Sequence, residues 1–162
     1  MNRGHINLEH PERFRGEYKI SDKKIQKAIK NATDKLLSKI DIYTDGFPGT
    51  YAKDFKYPIG ENNSWTCGMH TGTFVLAYEL TGDERFLEVA KNHMNSYKKR
   101  LDENINLDDH DVGFIYSPSC VALYKVTGDK LAKENALRAA EHLYNESYSQ
   151  KRRIYHSWCK FR

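Results

Sequence analysis

The 162 residues leave room for one domain with a real core, and a composition of 39% hydrophobic and 30% charged residues excludes a disordered chain. No stretch approaches the roughly 18 continuous apolar residues of a membrane-crossing helix. Residues 1–20 lack the apolar run of a secretory leader, so the expected site of action is the cytoplasm. A net charge of +4 is mild; it allows attraction for polyanions such as acidic glycans, but no nucleic-acid motif accompanies it.

In chain order, residues 1–20 read as an N-terminal extension and 21–162 as one helical unit. Ile25, Ala28, Ile29, Ala32, Leu36 and Ile40 form an apolar stripe opposite a row of lysines, which predicts a one-sided helix. Phe47 to Asn63 is rich in Gly, Pro, Tyr and Asn and reads as a long loop, a kind of segment that often carries function. Residues 67–80 are apolar almost all round, through Met69, Phe74, Val75, Leu76, Ala77, Tyr78 and Leu80, as in a helix buried on most sides. Residues 84–101 return to a stripe, Phe86, Ala90, His93, Met94, Tyr97 and Leu101. Residues 114–126 are again apolar all round, and 130–146 carry the stripe Ala132, Ala136, Ala139, Ala140 and Leu143.

Two of these stretches share wording. Ala77-Tyr78-Glu79-Leu80-Thr81-Gly82-Asp83 is echoed by Leu123-Tyr124-Lys125-Val126-Thr127-Gly128-Asp129, an offset of 127 − 81 = 46 residues. The glycines upstream, Gly68 and Gly113, are 113 − 68 = 45 apart, so one residue was gained or lost between them. A period of this size is that of a two-helix unit. In each copy the glycine is suited to a left-handed helix end and the aspartate to capping the next helix. One-sided and buried helices therefore alternate as outer, inner, outer, inner, outer. The expected fold is all-α, an incomplete α/α toroid with about five helices of the ring. Successive inner helices then run parallel, which places Trp65 and Asp111, each just before an inner helix, on one rim.

The runs Trp65-Thr66-Cys67-Gly68, Thr71-Gly72 and Leu76-Ala77-Tyr78-Glu79 resemble the first inner helix of unsaturated glucuronyl hydrolases. Leu107-Asp108-Asp109-His110-Asp111-Val112-Gly113-Phe114, followed by Tyr116-Ser117-Pro118-Ser119-Cys120, resembles that family's most distinctive motif. The helix Ala136–Leu143 and the segment Ile154-Tyr155-His156-Ser157-Trp158 follow in the family's order. The resemblance implies an (α/α)6 barrel and hydration of the vinyl ether of a 4,5-unsaturated uronic acid at the non-reducing end of lyase-generated glycosaminoglycan oligosaccharides. It implies no metal or organic cofactor. By it, Asp111 matches one of two essential aspartates, His110 a histidine beside it, Trp65 a tryptophan that packs on the unsaturated sugar, and Trp158 one near the next sugar. The family's proton-donor aspartate stands in an Ile-Ile-Asp segment further on than Arg162, which implies that these 162 residues alone are inactive. Asp109 stands where the family often has a second histidine, and Met69-His70 where it often has an aromatic pair.

Plainer roles stand beside these. Asp111 precedes a helix and is also a natural N-cap. Trp65 can pack on the rim as well as on a sugar face, and Trp158 lies in the tail. The seven histidines include no i,i+4 metal pair with an acidic base, and Lys151-Arg152-Arg153 reads as a solvated turn. Cys67, Cys120 and Cys159, an odd number without close pairing, fit reduced thiols. The related unsaturated rhamnogalacturonyl hydrolase type and a non-catalytic carbohydrate-binding half-toroid remain alternatives. Half a ring also leaves an apolar edge through which the chain is expected to self-associate.

Overall fold

The computed structural model describes His10 and residues 21–108, 110–149 and 154–155. The rest of the expected extension over 1–20, together with Trp158 and Cys159, lies outside the described residues. Helix α1 (Asp22–Leu37) breaks at Ser38-Lys39 before a single turn, α2 (Ile40–Tyr43). A short antiparallel pair, β1 (Phe47–Pro48) with β2 (Ile59–Gly60), holds the base of the long loop. Then come α3 (Thr66–Thr81) and α4 (Glu84–Asp102). The second inner helix is α5 (Val112–Tyr116), a π-helical turn over Ser117–Val121, and α6 (Ala122–Thr127). It is followed by α7 (Lys130–Ser147) and a second small pair, β3 (Tyr148–Ser149) with β4 (Ile154–Tyr155).

The repeat is physical. Gly82 and Gly128 end α3 and α6 in the left-handed region, at φ 70° and 72°, which glycine adopts without a Cβ clash. Each donates its N–H to a tyrosine carbonyl four residues back, Tyr78 or Tyr124, at 2.7 Å. The threonine before each glycine donates its hydroxyl back to Ala77 (2.6 Å) or Leu123 (2.7 Å) and accepts the N–H of the following aspartate. Asp83 then caps α4 at the N–H of Arg85 (3.1 Å), and Asp129 caps α7 at the N–H of Ala132 (2.7 Å).

The two inner helices lie side by side and parallel. A side chain at Gly68 would strike the carbonyls of Phe114 and Ile115, and one at Gly72 would come within 2.7 Å of the carbonyl of Pro118. Contact thus advances from 68 to 72 on one helix as it advances from 115 to 118 on the other, as parallel helices require. Pro118 brings no N–H and cannot pair with the carbonyl one turn back. The backbone widens there, and the N–H of Ala122 reaches the carbonyl of Ser117, five residues back.

The stripes on α4 and α7 face the core: Phe86, Ala90, His93, Met94, Tyr97, Ala132 and Ala139 are buried. Ala140 is exposed. Two readings need correction. On α1 the buried face runs through Thr33 and the half-buried Ile29, Leu36 and Leu37, while Ile25, Ala28 and Ala32 are exposed. The N-terminal half of that helix has little packed on it among the described residues. The inner helices are apolar all round in sequence but open on one side in space: Leu76 is 53% and Phe114 49% exposed, with Met69 and Leu80 close behind.

Buried polar groups join inner to outer helices. The carbonyl of Tyr43 can only accept, so His93 Nε2 carries the proton and donates to it at 2.8 Å. His93 Nδ1 then accepts from Thr71 Oγ1 at 2.9 Å. The Tyr97 hydroxyl lies 2.8 Å from Thr71 Oγ1 and 2.8 Å from the carbonyl of Cys67. Burial pushes the Tyr97 phenol well above its usual range and holds it protonated. His70 is wedged edge-on against Tyr43 and Phe74, and its buried Nε2 has no hydrogen-bond partner among the described residues. Burial, and then the neighbouring His93, lower its pKa from 6.5 to about 4.

Two outcomes follow for stability. Gly68→Ala should lower the urea midpoint by an amount worth about 1–3 kcal/mol, the usual cost of overpacking, because backbone and not a flexible side chain must yield. The histidine effect is on the acid side. Above pH 6.5 His70 is neutral whether the chain is folded or unfolded. As pH falls from 6.5 towards about 4 the unfolded chain takes up a proton that folded His70 refuses, so stability is lost across that window. Burial lowers the pKa of His93 too and adds to the loss. Denaturant midpoints between pH 4 and 7 should show the slope, and His70→Phe should flatten it.

Candidate active site

Trp65 and Asp111 meet where expected, at the N-terminal ends of the two parallel inner helices. They line one open cleft of about 430 Å³. Asn63 and Ser64 flank the tryptophan, Asn106 and Asp108 lie on the aspartate side, and Arg100 and Ile115 form the base. The indole is 45% exposed and lies 6.2 Å, centroid to centroid, from the ring of Phe114. The two rings are tilted at 59° to one another, and about half of the indole stays open to solvent.

Asp111 occupies the N-cap position of α5 but makes no capping hydrogen bond with its side chain, and its backbone is already helical at φ −67°, ψ −6°. The capping role is therefore not the one the carboxylate performs. His110 Nε2 lies 3.4 Å from Asp111 Oδ1, so the two adjacent residues act on each other. The histidine is the more exposed of the pair, at 57% against 25%.

The loop before each wall is tied down. In the loop 103–108, Asn104 and Asn106 adopt left-handed φ values of 50° and 49°. Leu107 is buried, and its carbonyl accepts from His142 Nε2 at 3.1 Å, a link from α7. Asn106 Nδ2 donates across to the carbonyl of Asn63 at 2.8 Å. The end of the Phe47–Asn63 segment does reach the rim, but its tip points outwards, with Phe55 and Tyr51 almost wholly exposed. Pro48, Gly49, Thr50 and Tyr57, on either side of that tip, instead line a separate cavity of about 500 Å³ with α1, Tyr43 and His70.

Sequence reasoning singled out neither Arg100 nor Asn106, and quoted Asp108 only within a motif. A signal existed for Arg100, which falls three residues after Tyr97 and so in phase with the buried stripe of α4. Among the described residues no group of three His, Cys, Asp or Glu is gathered for a metal ion, and no helix is long and apolar enough to cross a membrane.

The family model described as Glycosyl Hydrolase Family 88 matches residues 39–159. The chain belongs to this family. It is 35% identical over 151 residues to an unsaturated chondroitin disaccharide hydrolase of Streptococcus pneumoniae, covering 93% of this chain and 38% of the relative. It is 39% identical over 116 residues to an unsaturated glucuronyl hydrolase of a Bacillus species, covering 72% of this chain and 31% of the relative. Its fold superposes on the crystal structure of the unsaturated glucuronyl hydrolase from Streptococcus agalactiae with a TM-score of 0.87 at 32% identity, over 96% of this chain and 39% of the other. The family 88 fold is thus the α/α toroid, and the chain spans well under half the length of these relatives.

If the cleft is a sugar site, an unsaturated uronyl disaccharide should quench Trp65. In a Trp158→Phe chain, which leaves Trp65 as the one indole, saturable quenching on titration is the expected result, and Phe114→Ala should weaken it by loosening the ring.

Proposed function

We propose that these residues supply one wall of the active site of a hydrolase acting on 4,5-unsaturated uronic acid at the non-reducing end of lyase-generated glycosaminoglycan oligosaccharides. The observation that carries this reading is the shared cleft of Trp65 and Asp111. Protonation of the vinyl ether at the alkene carbon not bonded to the ring oxygen leaves an oxocarbenium ion, which water then captures; the hydrated sugar rearranges, opens and releases its partner. A flat, cationic ring is served by an indole face on one side and a fixed carboxylate close by. Asp111 supplies that charge, and His110 orients it from 3.4 Å. Trp158 is assigned to the next sugar by resemblance.

One carboxylate cannot both stay ionised for the ring and deliver the proton. The donor is a second group, which by resemblance lies beyond Arg162. The 162 residues alone then bind without turning over. Self-association of the chain through the uncovered edge of the incomplete ring belongs to the same reading. The cytoplasmic placement belongs to the same reading and rests on the cysteine usage. Chondroitin-type substrates fit the similarity to the streptococcal enzymes.

The test is loss of the unsaturated chromophore, assayed with the 162-residue chain, with a longer protein carrying this sequence, and with Asp111→Asn in the latter. The longer protein should be active and the short chain silent. Asp111→Asn should cost on the order of 10²–10⁴ in rate, the scale of a positioned acid–base or electrostatic group. Full activity in Asp111→Asn would remove Asp111 from the site. Turnover by the short chain would show that no later aspartate is needed. Saturable binding without turnover by every form would favour a carbohydrate-binding module.

A further inference from the structure

Arg100 stands in the last turn of α4 and is 1% exposed, yet it reaches the base of the cleft. Its guanidinium makes four hydrogen bonds to two separate loops. Nη1 donates to the carbonyl of Ser64 at 2.9 Å and to Asn62 Oδ1 at 3.0 Å. Nε donates to the carbonyl of Ile105 at 2.9 Å and Nη2 to that of Asn106 at 3.1 Å. Every acceptor is neutral, and among the described residues no carboxylate pairs with it. A buried cation without a counter-charge is costly, and linking two loops does not by itself require one. A planar fork does have a property that an ammonium lacks: it fixes the directions and separations of its acceptors together.

The acceptors are placed tellingly. Ser64 is the residue before Trp65, and Ile105 and Asn106 lie in the loop that leads to Asp111. Asn62 is held from its far side, donating through Nδ2 to Ser96 Oγ at 3.1 Å, so the first loop cannot swing away. We infer that Arg100 is a positioning residue, whose guanidinium sets the separation of the Trp65 and Asp111 walls of the cleft. This rests on the proposed function for what the separation serves, but the separation itself is measurable without turnover.

The first measurement uses the 162-residue chain with Trp158→Phe. Arg100→Lys and Arg100→Gln, once far-ultraviolet circular dichroism shows the helices intact, should raise acrylamide quenching of Trp65 about twofold, because neither side chain can reproduce the fork. Phe86→Leu, a core change at the opposite end of α4, should lower stability and leave that quenching unaltered. Unaltered quenching in the Arg100 variants, or an equal rise in Phe86→Leu, would overturn the inference. If neither Arg100 variant folds, Asn62→Ala removes one acceptor and should give a smaller rise; no rise would again overturn it. The second measurement uses the longer protein. Arg100→Lys should lower kcat more than tenfold, roughly the penalty for displacing reacting groups by a fraction of an ångström, while KM moves less. Unchanged kcat would falsify the positioning role. An inactive unsubstituted protein would count against the proposed function, and Trp65 quenching would still decide the inference.

Discussion

Everything at the rim depends on how closely two helices can approach. Gly68 and Gly72 let α3 lie with its backbone against the carbonyls of the second inner helix. With side chains there the helices would separate, and the rim would open between Trp65 and Asp111. The spacing is compatible with one orientation only, because two successive glycines on α3 must meet two successive stations, Ile115 and Pro118, in the same sense. Parallel inner helices and a shared rim are two descriptions of that constraint.

Helix α4 fastens this pair from outside, and its fastenings are polar. His93, Tyr97 and Arg100 follow one another down a single face and reach α2, α3 and the two rim loops in turn. These bonds end on the backbone carbonyls of Tyr43, Cys67, Ser64 and Ile105. Long irregular connections can thus be buried here without stranding their polar groups. It also explains why the outer helix carries so much of the rim's geometry.

The alternation of helices was legible because burial leaves a periodic trace. The Thr-Gly-Asp ends were legible because one residue type solves each step of the turn. Trp65 and Asp111 could be placed together from the repeat alone, since parallel helices with a common period bring equivalent ends to one side. Arg100 was hidden by its chemistry: a charge in an apolar stripe reads as an edge of the stripe and not as its centre. The open side of α3 was hidden for the opposite reason. Leu76 and Phe114 look like core wherever they stand, and nothing local tells a core-facing leucine from an exposed one. On α1 the stripe was chosen by regularity, whereas the helix packs through Thr33, which satisfies its hydroxyl on the carbonyls of Ile29 and Lys30.

The π-helical turn at Ser117–Val121 changes how the two hairpins correspond. Such a turn holds one residue more than an α-turn of the same helix, and the repeat spacing changes by one residue, from 45 to 46, across the stretch that contains it. Gly113, matched to Gly68 in sequence, has nothing near it among the described residues that a side chain would strike, so it does not do the work of its counterpart. An ungapped superposition therefore gives Trp65 two possible twins. Counted from the Thr-Gly-Asp end the twin is Asp111, at 65 + 46, and counted from the glycines it is His110, at 65 + 45. The rim position that one hairpin fills with an indole is in the other divided between an imidazole and the carboxylate 3.4 Å from it.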